Sequence, residues 1–557
     1  MAAPPFHHLD ERERGWLRHR WRKAMTRATP GALWLALLAA IVPSAAALPE
    51  ETPVVVAPHS ALLIITKISG TIYSADNTST QSRATQLAFG PGPDPNQEYL
   101  YISSDDHGVR RMDYDPATGA LSNLVDVLPG VQGNGIAFHT NDLGQAEMYL
   151  SEGYTSANAS SRRLSRLLRY VDLDGDGIFG SAGDANAAIV HGIPRDDHGL
   201  NQIQINGDAL FVGNGVRTRN GALQTITGDT FGESAYGGTI VTIGDLNAVA
   251  TTANAAGFAA YLSDPTDAQY EDVIDGTTAG SEGPFTSTAA DKLRVHSAGT
   301  RNPFGLAIDD TGTLWFTNNF HRVNNSTYDR SVIDGTAEGD AFDGPSNDDV
   351  HDQMFRSVLF ADYGYRNGNW QNNAAVQAAG FFAGIGNPAL IAPTVAFDNL
   401  DQDGAGGPDL DSTDGAYDQF HDPANPVGLG PSAALTGLAF SPSSFPAAYD
   451  GHAFVARWNG QFGIIDGLDY RDVVLVDPAT GDAEQLVSGL NAPTDIVGDA
   501  QDNLLVVSYY GSIWRITPIA HRVPVFTWGG QLLLSVILLM LGLATAFARP
   551  RKSGGRV

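Results

Sequence analysis

The chain has 557 residues, 62 acidic against 33 basic, 43% hydrophobic and without a cysteine. A net charge of −29 repels nucleic-acid phosphates and so excludes nucleic acid as a partner. The lack of cysteine excludes disulfide bracing, and the length exceeds what one ordinary core fills, which calls for a modular architecture.

The first segment is basic, with Arg12, Arg14, Arg18, Arg20, Arg22, Lys23 and Arg27 ahead of an apolar run from Ala32 to Val42. Pro43-Ser-Ala45-Ala-Ala47-Leu48 follows with the small-x-small pattern of a cleavage site. Residues 1–47 therefore read as a signal peptide cut near Ala47, and the protein as exported to the periplasm or cell surface. The apolar run is too short to span a bilayer comfortably as a retained anchor.

From 48 to 520 one unit recurs: a short apolar strand, a polar turn, and a second strand with an aromatic or aliphatic triplet. It occurs at Gln86-Leu-Ala-Phe89 with Leu100-Tyr-Ile102, at Gly135-Ile-Ala-Phe138 with Met148-Tyr-Leu150, and at Ile203-Gln-Ile205 with Leu210-Phe-Val212. It returns at Gly305-Leu-Ala-Ile308 with Leu314-Trp-Phe316, at Gly437-Leu-Ala-Phe440 with Ala453-Phe-Val455, and at Asp495-Ile-Val497 with Leu504-Leu-Val506. Material able to supply two more strands follows each unit, as in Val109-Arg-Arg-Met-Asp113 with Gly119-Ala-Leu121. The pattern predicts an all-β fold, a six-bladed β-propeller of four-stranded blades with long inserted loops. A pair of β-sandwiches explains the repeat less well. The insertions are the Ala/Thr/Gly/Asp-rich 250–290 and the Asp/Asn/Gly/Pro-rich 323–350 and 398–430.

Within this scaffold, Asp172-Leu-Asp174-Gly-Asp176-Gly177 sets carboxylates at positions 1, 3 and 5 and glycine at 6 of a Ca²⁺ loop. Position 12 is Gly183, so the ligand set needs Asp184, one residue late; the alternative is a solvated acidic turn. A looser acidic stretch runs from Asp401 through Asp403, Asp409 and Asp411 to Asp414. Asp197-His198 precedes the third repeat, and a His beside a carboxylate is a candidate general base. His107 lies in a similar Asp105-Asp106 setting, and such pairs are commonly surface turns. Arg301-Asn302 stands just ahead of the fourth repeat, a polar pair on a unit that otherwise resembles the rest. Gly344-Pro345 and Asp348-Asp349 offer carbonyls and carboxylates. There is no Gly-x-Ser-x-Gly elbow after a strand, no phosphate-cradling loop and no zinc-type His cluster.

At the far end, Trp528 to Ala548 is 21 residues without a charge, followed by Arg549, Arg551 and Lys552. It predicts a C-terminal transmembrane helix in 521–557 with a cytoplasmic basic tail. The order Val523-Pro524, Trp528-Gly529, apolar helix, basic tail resembles the bacterial IPTL/PEP-type sorting signals. That resemblance implies a transient membrane anchor and a sorting protease as a partner.

Taken together, Asp197-His198, Gly299-x-Arg301-Asn302-Pro303-x-Gly305, Gly344-Pro345-x-x-Asp348-Asp349, Tyr363-Gly364-Tyr365 and Gly437-Leu-x-Phe440 resemble the glucose/sorbosone dehydrogenase family of quinoproteins. The resemblance covers roughly residues 80–520. It implies a site at the mouth of the propeller channel that oxidises a sugar or related alcohol by hydride transfer to pyrroloquinoline quinone (PQQ), with an electron acceptor that the sequence does not identify. His198 would be the base, with Asp197 beside it. Arg301 and Asn302 would contact the quinone, and the Gly344 and Pro345 carbonyls would hold its Ca²⁺. Asp349 would sit near a second, structural Ca²⁺. The family grips the quinone carboxylates with basic residues late in the chain; here only Arg457, in Val455-Ala-Arg457-Trp458, is basic. That departure keeps open a non-catalytic propeller that binds a ligand or surface glycan through a decayed cofactor site.

Overall fold

The computed structural model describes residues 52–69, 83–104, 107–155, 163–195, 198–216, 224–226, 229–231, 237–249, 293–298, 300–319, 351–359, 427–431, 434–458 and 471–519. All belong to one compact unit that begins at Thr52. Among them no helix is long and apolar enough to cross a membrane. The expected signal peptide and C-terminal helix lie outside the described residues.

The six predicted repeats are the first and second strands of six antiparallel sheets. Blade I comprises Ala84–Gly90, Glu98–Ser104, Val109–Asp115 and Ala120–Leu128. Blade II comprises Gly133–Thr140, Ala146–Thr155, Arg163–Val171 and Ala185–Pro194. Blade III is Leu200–Asn206, Ala209–Asn214, Thr239–Ile243 and Leu293–Ala298, with a small hairpin, Gln224–Ile226 and Asp229–Phe231, between its second and third strands. Blade IV is Pro303–Ile308, Leu314–Asn318, His351–Arg356 and Val427–Pro431. Blade V is Leu435–Phe440, Ala453–Arg457, Asp472–Val476 and Ala483–Ser488, edged by Val54–Val55. Blade VI takes Pro493–Gly498, Leu504–Ser508 and Ile513–Pro518 from the end of the chain and its outer strand, Leu63–Ser69, from the beginning.

The first strands touch in the cycle I–II–III–IV–V–VI–I, so the ring closes. The closing strand pairs Leu63 with Pro518 and Lys67 with Trp514, and the Lys67 ammonium lies 5.2 Å from that indole. Apolar clusters fill the wedges between neighbouring blades, for instance Leu167, Ile189 and Ile193 of blade II against Ile203, Val212 and Val241 of blade III. Each such fully buried aliphatic side chain contributes about 1.5–3 kcal/mol, so each blade depends on its neighbours as much as on its own strands.

The glycines at one register of the repeat have a steric reason. A Cβ on Gly135 would meet the Asn201 carbonyl, one on Gly305 the Thr436 carbonyl, and one on Gly437 the Asp495 backbone. Only a residue without a side chain lets the inner strands approach so closely. At that level all six inner strands also slip register against their partners, a bulge that turns polar residues toward the axis. The axis is plugged by them. Gln86 accepts from the Ile136 and Ile203 amides and donates to the Ile203 carbonyl. Asp495 accepts from the Leu87 amide at 2.8 Å and from Gln202 Nε2 at 2.9 Å. Complete burial of the Asp495 carboxyl raises its pKa to about 7. A cavity of about 350 Å³ reaches Asp495 and Gln86 from the end where the inner strands finish, past Asp309, Asp310 and Ser441.

Candidate functional site

The opposite end of the axis is where the inner strands begin. There, in five blades, a residue at the end of the second strand or just past it returns to the residue before the first. Gly153 donates its amide to the Gln132 carbonyl in blade II, Gly215 to Gly199 in blade III and Asn319 to Asn302 in blade IV. Trp458 donates to Ala434 in blade V and Tyr509 to Ala492 in blade VI. These five residues occupy one rim, in equivalent places, with very different side chains.

His198 and Arg301-Asn302, far apart in sequence, come together on this rim. A Cβ on Gly215 would meet the His198 Cβ and Cγ and the Asn302 Oδ1, so both side chains rest on that glycine. The Val216 amide donates to the Arg301 carbonyl at 2.7 Å, which ties blade III to blade IV beside them. Asn302 Oδ1 accepts from Asn201 Nδ2 at 2.8 Å. The amides of Arg301 and Asn302 both donate to Asn318 Oδ1, at 3.1 and 3.0 Å. Arg301 Nη1 donates to the Asn319 carbonyl at 3.1 Å, and its side chain is 7% exposed. The Arg-Asn pair is thus fixed at both backbone and side chain before any ligand arrives.

Around it lie buried polar atoms that no group among the described residues satisfies: Asn318 Nδ2, Asn319 Oδ1 and Thr300 Oγ1. Because Asn318 Oδ1 already takes two amides, its Nδ2 must face away from them. Buried polar atoms left without partners cost about 1–3 kcal/mol each, and a polar ligand at this place would recover that energy. A fixed guanidinium flanked by such donors and acceptors suits an anionic, oxygen-rich planar group. By this test the residues present on blades III and IV fit a quinone cofactor.

The other half of the rim differs. Arg457 binds Asp472 with two parallel hydrogen bonds, 2.7 and 2.6 Å, to a carboxylate that is fully buried. Gln485 Nε2 adds a third bond to Asp472 at 2.7 Å. The Arg457 charge is therefore matched inside blade V, a structural role that sequence alone did not show. Next to it, Trp458 meets Tyr509 edge to face at 5.6 Å, and Tyr509 meets Tyr510 at 5.4 Å. These aromatics were not among the expected site residues. The signal that could have found them is the equivalence of Trp458 and Tyr509 with Gly153 and Gly215, legible once the repeats are aligned.

Arg195 was missed for the same reason. It lies on the rim between blades II and III, where a Cβ on Gly153 would run into its guanidinium and a Cβ on Gly199 into its Cβ and Cδ. Asp197, Gly344, Pro345, Asp349 and the acidic stretch 401–414 lie outside the described residues.

The predicted Ca²⁺ loop sits away from this rim, after the third strand of blade II. One carboxylate oxygen each of Asp172, Asp174 and Asp176 lies within 4.8 Å of the others. Asp172 accepts from the Gly175, Asp176 and Gly177 amides, which shapes the turn. Asp184 accepts from the Leu173 and Ser181 amides, so it braces the loop and stands outside the group of three. Desolvation and then the neighbouring carboxylates of Asp176, Asp184 and Asp172 raise the Asp174 pKa. The loop borders a cleft of about 610 Å³ lined by Gly92, Pro93, Asp94 and Tyr99 of blade I.

No family model and no curated protein matches the chain. Solved structures do. The holo PQQ domain of pyranose dehydrogenase from Coprinopsis cinerea is 14% identical with a TM-score of 0.48, over 84% of this chain and 98% of that one. The PQQ-bound aldose sugar dehydrogenase from Streptomyces coelicolor is 15% identical with a TM-score of 0.41, over 82% and 98%. The apo soluble aldose sugar dehydrogenase from Escherichia coli is 12% identical with a TM-score of 0.43, over 82% and 99%.

Proposed function

We propose that the chain is an exported oxidoreductase that oxidises a sugar or related alcohol at the rim of blades III and IV, with PQQ as the hydride acceptor. The observation that carries this reading is the meeting of His198 and Asn302 on Gly215, with Arg301 locked beside them. When bound, PQQ supplies the two-electron acceptor for the substrate hydride. A neutral His198 ring nitrogen takes the hydroxyl proton as the carbon–hydrogen bond breaks, with Asp197 as the adjoining carboxylate. Arg301 is placed to offset negative charge that develops at the acceptor, in a buried setting that strengthens the interaction. Asn302, held by Asn201 and the Gly215 contact, fixes the distance between base and cation. The Gly344 and Pro345 carbonyls would hold the cofactor's Ca²⁺, with Asp349 near a further one. The Asp172-Asp174-Asp176 loop, braced by Asp184, would hold a structural Ca²⁺ remote from the chemistry. In this reading the apolar 528–548 segment anchors the exported domain to the membrane until a sorting protease releases it.

Reconstitution with PQQ and Ca²⁺, then reduction of an artificial dye over a panel of aldoses and alcohols, tests the reading. Dye reduction that depends on both additions supports it; failure of PQQ to bind refutes it. The bidentate Arg457–Asp472 pair favours a second reading, a propeller that binds a ligand or surface glycan without turnover. Saturable glycan binding with no quinone-dependent reduction would establish that alternative.

A further inference from the structure

We infer that the cavity at the far end of the axis binds a small organic ammonium ion, with its charged head on the Asp495 carboxylate. The site lies at the end opposite the rim, and its occupation does not depend on PQQ. Three observations carry the inference: the cavity itself, the lack of a counter-charge for a buried carboxylate, and a shortage of hydrogen donors at the axis.

The cavity of about 350 Å³ lies among the finishing ends of the inner strands and reaches Asp495 and Gln86. Both side chains are nine-tenths buried or more, Asp495 at 4% exposure and Gln86 at 5%. Among the described residues that border it there is no lysine, arginine or histidine, and the titratable ones are Asp309, Asp310 and Asp495. Asp309 is committed to its own turn, where it accepts from the Thr311 and Thr313 amides and from Trp315 Nε1. Asp310 is exposed. Asp495 is thus the buried acid of the cavity.

Its bonds are all with neutral donors: the Leu87 and Ile496 amides and Gln202 Nε2. A carboxylate offers about four acceptor sites, so its capacity is not exhausted. Gln202 Nε2 has two hydrogens but three oxygens within reach, the Thr85 and Thr494 carbonyls at 3.1 and 3.2 Å and Asp495 at 2.9 Å. On the same amide, Oε1 is buried and accepts no hydrogen bond among the described residues. The axis is therefore short of donors as well as of positive charge. A buried carboxylate without a counter-ion either takes up a proton or draws in a cation. With a pKa raised by burial to about 7, the proton is exchangeable at neutral pH.

An ammonium head supplies one charge and three N–H donors in a compact group. The cavity is larger than a bare ion needs and sits at the low end of the range for small-molecule sites. Leu306, Leu438 and Ile496 border it, so the ligand carries a short carbon skeleton behind its charge. The net charge of −29 adds a long-range field that concentrates cations at the surface.

The test is calorimetric titration of the full chain with n-butylammonium chloride, with n-butanol as the uncharged control. Saturable binding of the amine but not of the alcohol is expected, and Asp495→Asn should weaken it by about tenfold or more. Affinity should be about tenfold lower at pH 6 than at pH 8.5, because the carboxyl must be ionised to bind. At pH 6 binding should release close to one proton, read from the dependence of the heat on the buffer's ionisation enthalpy, and at pH 8.5 almost none. Gly498 borders the cavity, and a Cβ there would meet nothing within 4 Å, so Gly498→Leu narrows the cavity without touching Asp495 and should weaken binding too. Circular dichroism identifies any variant that fails to fold; if Asp495→Asn does, Gly498→Leu and the proton count decide. No saturable amine binding, equal binding by Asp495→Asn, or equal binding of the alcohol overturns the inference. Binding of Ca²⁺ at Asp495 in place of the amine overturns it as well.

Discussion

The rims of blades III–IV and V–VI are built on the same backbone and serve opposite purposes. On blades III and IV the rim is small and polar: Gly199 and Gly215 make space, and His198, Arg301 and Asn302 fill it. On blades V and VI the rim is bulky: Arg457 is bonded to Asp472, and Trp458, Tyr509 and Tyr510 pack on one another, with Trp458 Nε1 buried and without a hydrogen bond among the described residues. A propeller fixes where rim positions fall, not what they do. The half that brings His198, Arg301 and Asn302 together is the one on which the proposed chemistry rests, while in the other half Arg457 is bonded to Asp472 within its own blade.

Breaking the polar half should give the largest effect. His198→Ala, reconstituted with PQQ and Ca²⁺, is expected to lower turnover by about 10²–10⁴-fold, as loss of a general base does. PQQ affinity should change little, which separates removal of the base from loss of the cofactor. An unchanged rate would erase the contrast between the two halves.

The axis yields the next effect. Asp495 has a folded-state pKa of about 7, above the unfolded value. Below about pH 4 both states carry the proton and nothing is lost. As pH rises from there toward 7, the unfolded chain gives up the proton and the folded one keeps it, so stability falls, by roughly 4 kcal/mol for a shift of this size. Denaturant titrations across that window should show the decline in the wild type and a flatter profile in Asp495→Asn.

In the paired half, Arg457→Met should destabilise the fold by about 3 kcal/mol, because it strands the buried Asp472 carboxylate. The same variant should leave PQQ affinity near wild type. A large loss of cofactor binding would move Arg457 into the site and make the two halves alike. The smallest effect is expected at the acidic loop. Saturating Ca²⁺ should stabilise the protein by about 2–3 kcal/mol at a concentration on the order of 100 times the dissociation constant. Asp174→Asn should weaken that response without altering turnover, and calorimetry with and without chelator measures both.

The fold was legible because its signal is periodic. Apolar alternation and a polar turn recur along the blades, and the Gly-x-Ala register of Gly135, Gly305 and Gly437 reports the same close approach in three of them. Arg301-Asn302 stood out as a polar pair on a repeated frame, and the structure brings it to His198. The bond of Arg457 to Asp472 stayed hidden, since its partner lies on the neighbouring strand, fifteen positions on. The plug at the axis was equally invisible, since Gln86, Gln202 and Asp495 come from three blades and share no local pattern.

The outer strand Leu63–Ser69 completes a sheet otherwise made from the last strands of the chain, with the Ile519 amide bonded to the Leu62 carbonyl just past the pairing. The ring thus has its seam in blade VI, where a strand from the start of the chain, Leu63–Ser69, fastens on Ile513–Pro518 from its end. A nascent chain cannot close it until the final blade has been made. Until then blade VI is an open edge, Gln202 has no Asp495 to meet, and the axis stands unplugged. Assembly of the site on blades III and IV is in this way tied to arrival of residues some two hundred positions downstream, so an incomplete chain would offer neither a closed ring nor a finished rim.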